Sequence, residues 1–480
     1  MSRAPDQDAT AARMDASLDY IRTWLQTQFD RHDIPGMQVA IRYRGTSQLS
    51  EAYGVTNLET QEPVTPRHLF RIASQSKTFT AVAVLQLVER DLLRLDDSIS
   101  SHLPELAQSP VGNVTVRDLL NHTGGIVRDV PTAVLDQVVA PTPDENQVIQ
   151  AVLEHGFVFP SNVSLKYSNV GYSLLGIIIG RVSTVGYDVY VREHIVDALG
   201  LKNTGPDLDL DRVSEFVHGH AGPHARRPQA VLPLMTSRAN APCGGFYSTA
   251  DDLADYYSAH LMGDKRLLSD DSKRLQQHAG WSSNPADPSA GRYGLGMARE
   301  SFRGHTLLGH SGGHPAGQVS ETIFDPDTGV IVSILANGFG SPVGELTRGV
   351  LSLLYAGAAD PTDPTGFGLA SGVLPTQPVE LSTDELARFA GRYVDQIDEF
   401  HLAALGGKLL GIYPDGLDPV GAAERYAVVS AGELRNVGAS AFASVGETIT
   451  VVRNVDDSVQ RIQFGRSVMW PAERYEGPSL

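Results

Sequence analysis

The chain of 480 residues has a single cysteine, Cys243, so no intrachain disulfide can form. A lone small thiol in Pro242-Cys243-Gly244-Gly245 reads as a packing residue, not a nucleophile. No apolar run reaches the length of a bilayer span. The first residues, Met1-Ser2-Arg3-Ala4-Pro5-Asp6, are polar and carry no hydrophobic stretch of the secretory kind, so a cytoplasmic protein without membrane attachment is expected. Positive charge is also scarce: 38 Lys and Arg stand against 56 Asp and Glu, a net charge of −18. Such a surface repels polyanions and argues against nucleic acid or an anionic membrane as partner. Metal ligands do not cluster either. Val217-His218-Gly219-His220, with His224 nearby, offers imidazoles, but no cysteine or carboxylate group completes the three or four ligands zinc needs. Neither a metal nor an organic cofactor is expected.

What is present is ordinary globular material, 41% hydrophobic and 20% charged, in a length that calls for two or three domains. Met14, Leu18, Ile21, Leu25 and Phe29 have helical spacing. Residues 37–44 and 48–55, with a turn at Gly45, read as an antiparallel hairpin. From 98 to about 201 the signals are mostly helical, including a buried helix at 171–182 and another at 186–199 ended by Gly200. Thr249 caps a further helix. Strand character returns at 293–297, 302–308, 318–325 and 330–337, before a closing helix at 345–355. The expected domains are therefore an α+β domain over 1–355, a Pro- and Thr-rich linker over 356–380, and a second domain over 381–480. In the latter, short alternating runs at 400–405, 409–413, 426–430, 448–453 and 459–464 suggest a small antiparallel β-barrel or sandwich.

The chemistry concentrates at Phe70-Arg71-Ile72-Ala73-Ser74-Gln75-Ser76-Lys77. Ser74 and Lys77 are three apart at the start of a helix, so hydroxyl and amine share a face. The run behind them, 78–95, is apolar on nearly every side, as in a helix buried all round. Burial disfavours the charged form of an amine, which is what a lysine needs to act as a base on a serine nucleophile. The plainer reading of the same residues is a helix N-cap.

Two further spots complete a pattern. Tyr167-Ser168-Asn169 precedes the buried helix and offers a phenol and an amide; the bland alternative is a tyrosine packed at a helix start. Gly309-His310-Ser311-Gly312-Gly313-His314 lies between two strand-like runs; small residues there let a substrate approach backbone N–H groups, or simply make a hairpin loop.

In this order and at these spacings, Ser74-Gln75-Ser76-Lys77, Tyr167-Ser168-Asn169 and His310-Ser311-Gly312 resemble the three signature motifs of the serine β-lactamase and penicillin-binding-protein superfamily. The likeness is to its class C-type branch, with D-aminopeptidases, D-amino-acid amidases and related esterases. It covers roughly residues 15–355; the tail from Phe389 is similar to the lipocalin-like domain appended to some of these peptidases. The resemblance implies a β-lactamase-like fold, with Ser74 as acylated nucleophile and Lys77 and Tyr167 sharing the general-base role. It implies an oxyanion hole from the N–H groups of Ser74 and Gly313, and substrate contacts at Asn169, His310, Ser311 and Gly312. His310 stands where β-lactamases carry a lysine, and an imidazole grips a substrate carboxylate less well than a permanent cation. The expectation is a serine hydrolase of the aminopeptidase or amidase type acting on a small molecule or short peptide, with homo-oligomerisation left open. The alternatives are an esterase or lactonase, then a β-lactamase or carboxypeptidase, then a non-catalytic binding protein on the same fold.

Overall fold

The computed structural model describes residues 7–129, 142–222, 229–287, 289–359, 379, 381–396, 398–421, 423–438, 446–464 and 467–475. Two compact units share the chain. His32–Thr347 forms one; Met1–Arg31 and Arg348–Leu480 form the other.

The strands of the first unit are β1 (Gly36–Tyr43), β2 (Thr46–Gly54), β3 (Phe70–Arg71), β4 (Tyr247–Ser248), β5 (Trp281–Ser282), β6 (Arg292–Tyr293), β7 (Ala298–Phe302), β8 (His305–His314), β9 (Gln318–Phe324) and β10 (Val330–Ala336). Eight of them make one antiparallel sheet in the order β2-β1-β10-β9-β8-β7-β6-β5, while β3 and β4 form a separate two-residue ladder. The β1–β2 hairpin turns through Arg44 and Gly45, both at positive φ (49° and 80°), the backbone that a two-residue hairpin requires. β1 also pairs with β10 from Met37↔Ala336 to Tyr43↔Val330, so the first and last strands of the unit lie side by side.

Helix Ala250–Ser258, capped by Thr249, packs on β1 and β10. Helix Ser76–Glu89 is buried at twelve consecutive positions and stacks Phe79 between Phe246 and Tyr256, with ring centroids 4.4 and 3.8 Å away. Beside it lie Val116–Leu120, Glu145–His155 and Asn169–Ser183, the helical lobe. The segment expected as one helix from 186 to 199 runs from Tyr187 to Leu199 with a π-helical stretch at Arg192–Val196, and Gly200 closes it at φ 68°.

Two strand expectations need correction. The run 302–308 is not one strand: Arg303 and Gly304, at φ 50° and 85°, turn the chain from β7 into β8. Likewise 293–297 is the end of β6 and a turn at Gly296. Glycine is required there, because φ is 78° and a Cβ would lie 2.4 Å from that of Ala81.

In the second unit, β11 (Gly391–Val394), β12 (Glu399–Leu405), β13 (Lys408–Ile412), β14 (Glu424–Ser430), β15 (Glu433–Gly438), β16 (Thr448–Arg453), β17 (Val459–Phe464) and β18 (Ser467–Pro471) form a closed antiparallel barrel. Pairing of β11 with β18 closes it, which leaves no sheet edge open. Phe400, Leu402, Leu409, Leu434, Ile449 and Ile462 belong to its core. Helix Gln7–Arg31 of the same unit holds the barrel through Tyr20 Oη and His401 Nδ1 (3.1 Å), Gln28 to the Pro414 carbonyl (2.8 Å) and Arg31 to Asp415 (2.6 Å). Of the stretch read as a linker, 356–358 end the helix Val343–Ala358, and 360–378 and 380 lie outside the described residues.

Candidate active site

The site is built around a sharp bend. Ile72 N–H donates to the Phe246 carbonyl (2.9 Å), continuing the β3–β4 ladder. Ala73 then adopts φ 50°, a left-handed conformation uncommon for a residue with a Cβ. Ser74 follows in a 3₁₀ turn, Ala73–Gln75, which passes directly into helix Ser76–Glu89. Strain of this kind persists where the surroundings over-determine it, and here they do. Ser76 Oγ donates to the Ala73 carbonyl (2.6 Å) and accepts from Phe246 N–H (2.9 Å), and Ser320 Oγ donates to the Ile72 carbonyl (2.8 Å). Gly312 of β8 presses on the same bend: a Cβ there would sit 2.2 Å from the Ile72 oxygen and 3.0 Å from the Ala73 Cβ.

Lys77 is fully buried, and its Nζ has three partners: Ser74 Oγ at 3.2 Å, Asn169 Oδ1 at 2.8 Å and the Cys243 carbonyl at 2.6 Å. Two of the three can only accept. An ammonium donates to all three. A neutral amine donates its two protons to Asn169 and Cys243 and turns its lone pair to Ser74, the one partner with a proton to give. The Cys243 carbonyl is delivered by the short helix Ala241–Gly244, which lies so close to helix Asn169–Ser183 that a Cβ on Gly176 would meet the Pro242 ring at 2.1 Å. The Cys243 thiol itself is buried, bonded to the Asn240 carbonyl (3.1 Å), and burial pushes its pKa up, as befits packing.

The segment 309–314, read either as a place where a substrate approaches backbone N–H groups or as a hairpin loop, is the second half of β8. It pairs with β9 through His314↔Gln318, whereas β7 reaches only to Gly309. The His314 carbonyl accepts from Gly317 N–H (3.0 Å) and so faces the β9 side. Since residues alternate sides along an antiparallel strand, the Gly313 N–H faces the side that β7 leaves open. Ser74 N–H sits in the first turn of its helix, where backbone donors lack intrahelical acceptors.

His310 behaves differently from a substrate-gripping cation. It is buried, Nδ1 donates to the Ser311 carbonyl (2.5 Å) and Nε2 accepts from the Tyr293 hydroxyl (2.9 Å). A carbonyl can only accept, which fixes the proton on Nδ1. Burial, then the Lys77 charge, lowers its pKa to about 4. It is absent from the residues lining the cavity.

The Tyr167 ring lies over Lys77, 4.9 Å from Nζ to centroid, and 4.2 Å from the His122 ring. His122 positions this segment: its Nδ1 accepts from Ser168 N–H (3.1 Å) and its carbonyl from Lys166 N–H (2.7 Å). Burial, with the Lys77 charge second, holds His122 well below its ordinary pKa. Ser74, Asn169 and Gly313 open on a cavity of about 440 Å³ whose other walls include Arg128, Asp129, Ser237, Cys243 and His314. Asn169 is turned by Asp129, whose Oδ1 accepts from Nδ2 at 2.7 Å, and so directs its own oxygen at Lys77.

Ser74, Lys77, Tyr167 and Asn169 thus come together from two sequence stretches, with Gly312 and Gly313 on the facing strand. Sequence reasoning missed His122, Asp129, Tyr293 and the Cys243 carbonyl. His122 stands in the glycine-rich stretch Asn121-His122-Thr123-Gly124-Gly125, but nothing in its spacing points to Tyr167; the other three carry no motif. His220 is spent structurally: Nδ1 bonds the Asn337 carbonyl (2.9 Å) and Nε2 accepts from Leu58 N–H (3.1 Å). His224 lies outside the described residues.

Comparison with known proteins bears on the family and the fold. Protein flp of Staphylococcus aureus (strain MW2) is 29% identical over 304 residues, which cover 62% of this chain and 58% of flp. Beta-lactamase-like protein 2 of Dictyostelium discoideum is 29% identical over 245 residues, 50% of this chain and 44% of that protein. The chain therefore spans about half the length of the curated relatives it matches. Among solved structures, the octameric penicillin-binding protein homologue from Pyrococcus abyssi superposes with a TM-score of 0.64 at 22% identity, covering 94% of this chain and 99% of that one. A D-stereospecific amidohydrolase from Streptomyces sp. gives 0.58 at 24% identity, covering 74% and 100%. These two likenesses are of fold. The Beta-lactamase family profile matches residues 18–356, and the chain belongs to that family.

Proposed function

We propose that the protein is a serine hydrolase that cleaves an amide bond of a small substrate, of the aminopeptidase or amidase type, through an acyl-Ser74 intermediate. The observation that carries this reading is the Lys77 Nζ, 3.2 Å from Ser74 Oγ and otherwise bonded only to acceptors. In the first step the Ser74 proton passes to Lys77, with Tyr167 sharing the load, as Oγ bonds the substrate carbonyl carbon. The carbonyl electrons move to oxygen, which the N–H groups of Ser74 and Gly313 stabilise. Collapse of this intermediate breaks the C–N bond, and Tyr167 protonates the departing amine. Water then attacks the acyl-serine by the same route, and the acid leaves with Ser74 restored. Neutral His310 supplies no fixed cation behind the strand, which disfavours substrates that must be held by a carboxylate, such as penicillins. The fold shared with a D-stereospecific amidohydrolase supports testing the D series first.

The test is a fluorophosphonate probe followed by a substrate panel. Labelling at Ser74 that disappears in Ser74→Ala is expected, together with turnover of D- or L-amino-acid p-nitroanilides. Absence of labelling in the wild type refutes the enzyme. Turnover of p-nitrophenyl esters without any anilide or amide turnover refutes the amide assignment and leaves an esterase.

A further inference from the structure

Among the described residues that line the cavity, Asp129 is the one carboxylate. Its two oxygens do different things. Oδ1 accepts from Asn169 Nδ2 at 2.7 Å, a bond that fixes the carboxylate beside the Lys77–Asn169 pair. Oδ2 lies 3.3 Å from Arg128 Nε, in a pair whose side chains are 39% and 68% exposed. An ion pair this open is worth little, so its cation is readily exchanged. The Arg128 guanidinium also lies 5.7 Å from the Tyr167 ring centroid, a contact that does not depend on Asp129. Among the described lining residues no other anion competes: His314 accepts from Ala316 N–H at Nδ1 (3.1 Å), burial keeps it neutral, and Gly313 offers only backbone.

We infer that Asp129 anchors the free amino group of the substrate, with Arg128 as the counter-ion that the substrate ammonium displaces. The inference rests on the acyl-serine reading above and narrows it to substrates whose acyl group carries an unblocked amine. A bound α-ammonium would accept the place of Arg128 against Oδ2, while Oδ1 keeps Asn169 turned toward Lys77. Amine recognition and alignment of the Lys77 partner would then share one carboxylate. An N-acylated or amine-free substrate would leave Asp129 paired with Arg128 and gain nothing from it.

The experiment compares D-phenylalanine methyl ester with methyl 3-phenylpropionate, and the two corresponding p-nitroanilides, on the full-length protein. Intrinsic reactivity differs within each pair, so the quantity read is the kcat/KM ratio of amino to amine-free substrate in wild type relative to Asp129→Asn. The wild type is expected to favour the amino member by at least tenfold, and Asp129→Asn to shrink that ratio at least tenfold, mostly through KM. An unchanged ratio in the variant overturns the inference, as does a parallel fall on both substrates, which means that Asp129 acts only by holding Asn169. A wild-type ratio near one also overturns it. Because the ester pair reads the amine independently of the bond cleaved, inert anilides with selective esters sink the amide assignment and sustain this one; no turnover of any of the four sinks both.

Discussion

The close approach of β8 to the nucleophile turn makes a sharp mutational forecast. In Gly312→Ala the new Cβ would stand 2.2 Å from the Ile72 carbonyl oxygen, 2.8 Å from Ser320 Oγ and 3.0 Å from the Ala73 Cβ. Ordinary contact is about 3.5 Å, so strand and bend must separate by roughly 1 Å. None of the three obstacles can swing aside: one is backbone, one is the first carbon of a buried side chain, and Ser320 Oγ is held on Ile72. Overpacking of this kind costs about 1–3 kcal/mol and lowers Tm by roughly 2–10 °C. The catalytic cost is larger, because the Gly313 N–H rides on the same strand. A displacement of ~1 Å, or loss of one oxyanion donor, costs on the order of 10²-fold in acylation. Gly313→Ala is the control for stability, since a Cβ there meets only Phe339, at an ordinary 3.7 Å. Thermal unfolding and the rate of fluorophosphonate labelling read the two effects. If Gly312→Ala labels at the wild-type rate with an unchanged Tm, or if Gly313→Ala is destabilised just as much, the account of this contact is wrong.

Other outcomes follow from single bonds. Lys77→Ala should slow acylation by about 10³-fold or more while Ser74 remains in place, measurable by single-turnover mass spectrometry. Tyr293→Phe removes the proton that Tyr293 offers to His310 Nε2 and strands a buried acceptor, for a loss of about 1–3 kcal/mol in urea denaturation. His310 has its folded pKa lowered to about 4 from 6.5. Between those values the unfolded chain binds a proton that the folded chain refuses, so its contribution to stability falls as pH falls through that window. His310→Gln should therefore flatten the acid limb of the stability curve between about pH 6.5 and 4, and a limb as steep as the wild type's would contradict the assignment. The native Cys243 thiol, raised by burial, should resist iodoacetamide at pH 8 and react once the chain is unfolded.

The parts of this site that were legible in the sequence are those whose chemistry is local. Ser74 and Lys77 share a helical turn, and Asn169 opens a helix that its own apolar run announces. The buried helix 76–89 was readable because it is apolar all round. What was not legible depends on chain reversals and on distant partners. Arg303-Gly304 looked like the interior of a strand because apolar residues flank it, so one strand was drawn over 302–308, which starts before the turn and stops short of the second half of β8. Strands β11, β15 and β18 are short or polar (Gly391–Val394, Glu433–Gly438, Ser467–Pro471), and only closure of the barrel gives them a place. Asp129 reaches Asn169 across 40 residues and the Cys243 carbonyl reaches Lys77 across 166; a backbone oxygen has no residue type to recognise.

The proposed role of Lys77 as base to Ser74 depends on what surrounds its amine. Each group around its amine is a neutral acceptor or a ring: Asn169 Oδ1, the Cys243 carbonyl, Tyr167 and Tyr172, whose rings lie 4.9 and 5.5 Å from Nζ. The nearest titratable neighbours are kept neutral, His122 and His310 by burial and by the lysine itself. The lysine is thus surrounded by dipoles, with the carboxylate of Asp129 one amide away through Asn169. Placed in direct contact, that carboxylate would hold the ammonium and forbid proton uptake from Ser74. Placed at the far end of Asn169, it turns the amide and keeps its charge at the cavity wall, where an incoming ammonium can meet it. Replacing the amide by a carboxylate, Asn169→Asp, would set it between Lys77 Nζ and the Asp129 carboxylate, where the two acids share a proton and together still hold the ammonium, so fluorophosphonate labelling of Ser74 should be abolished.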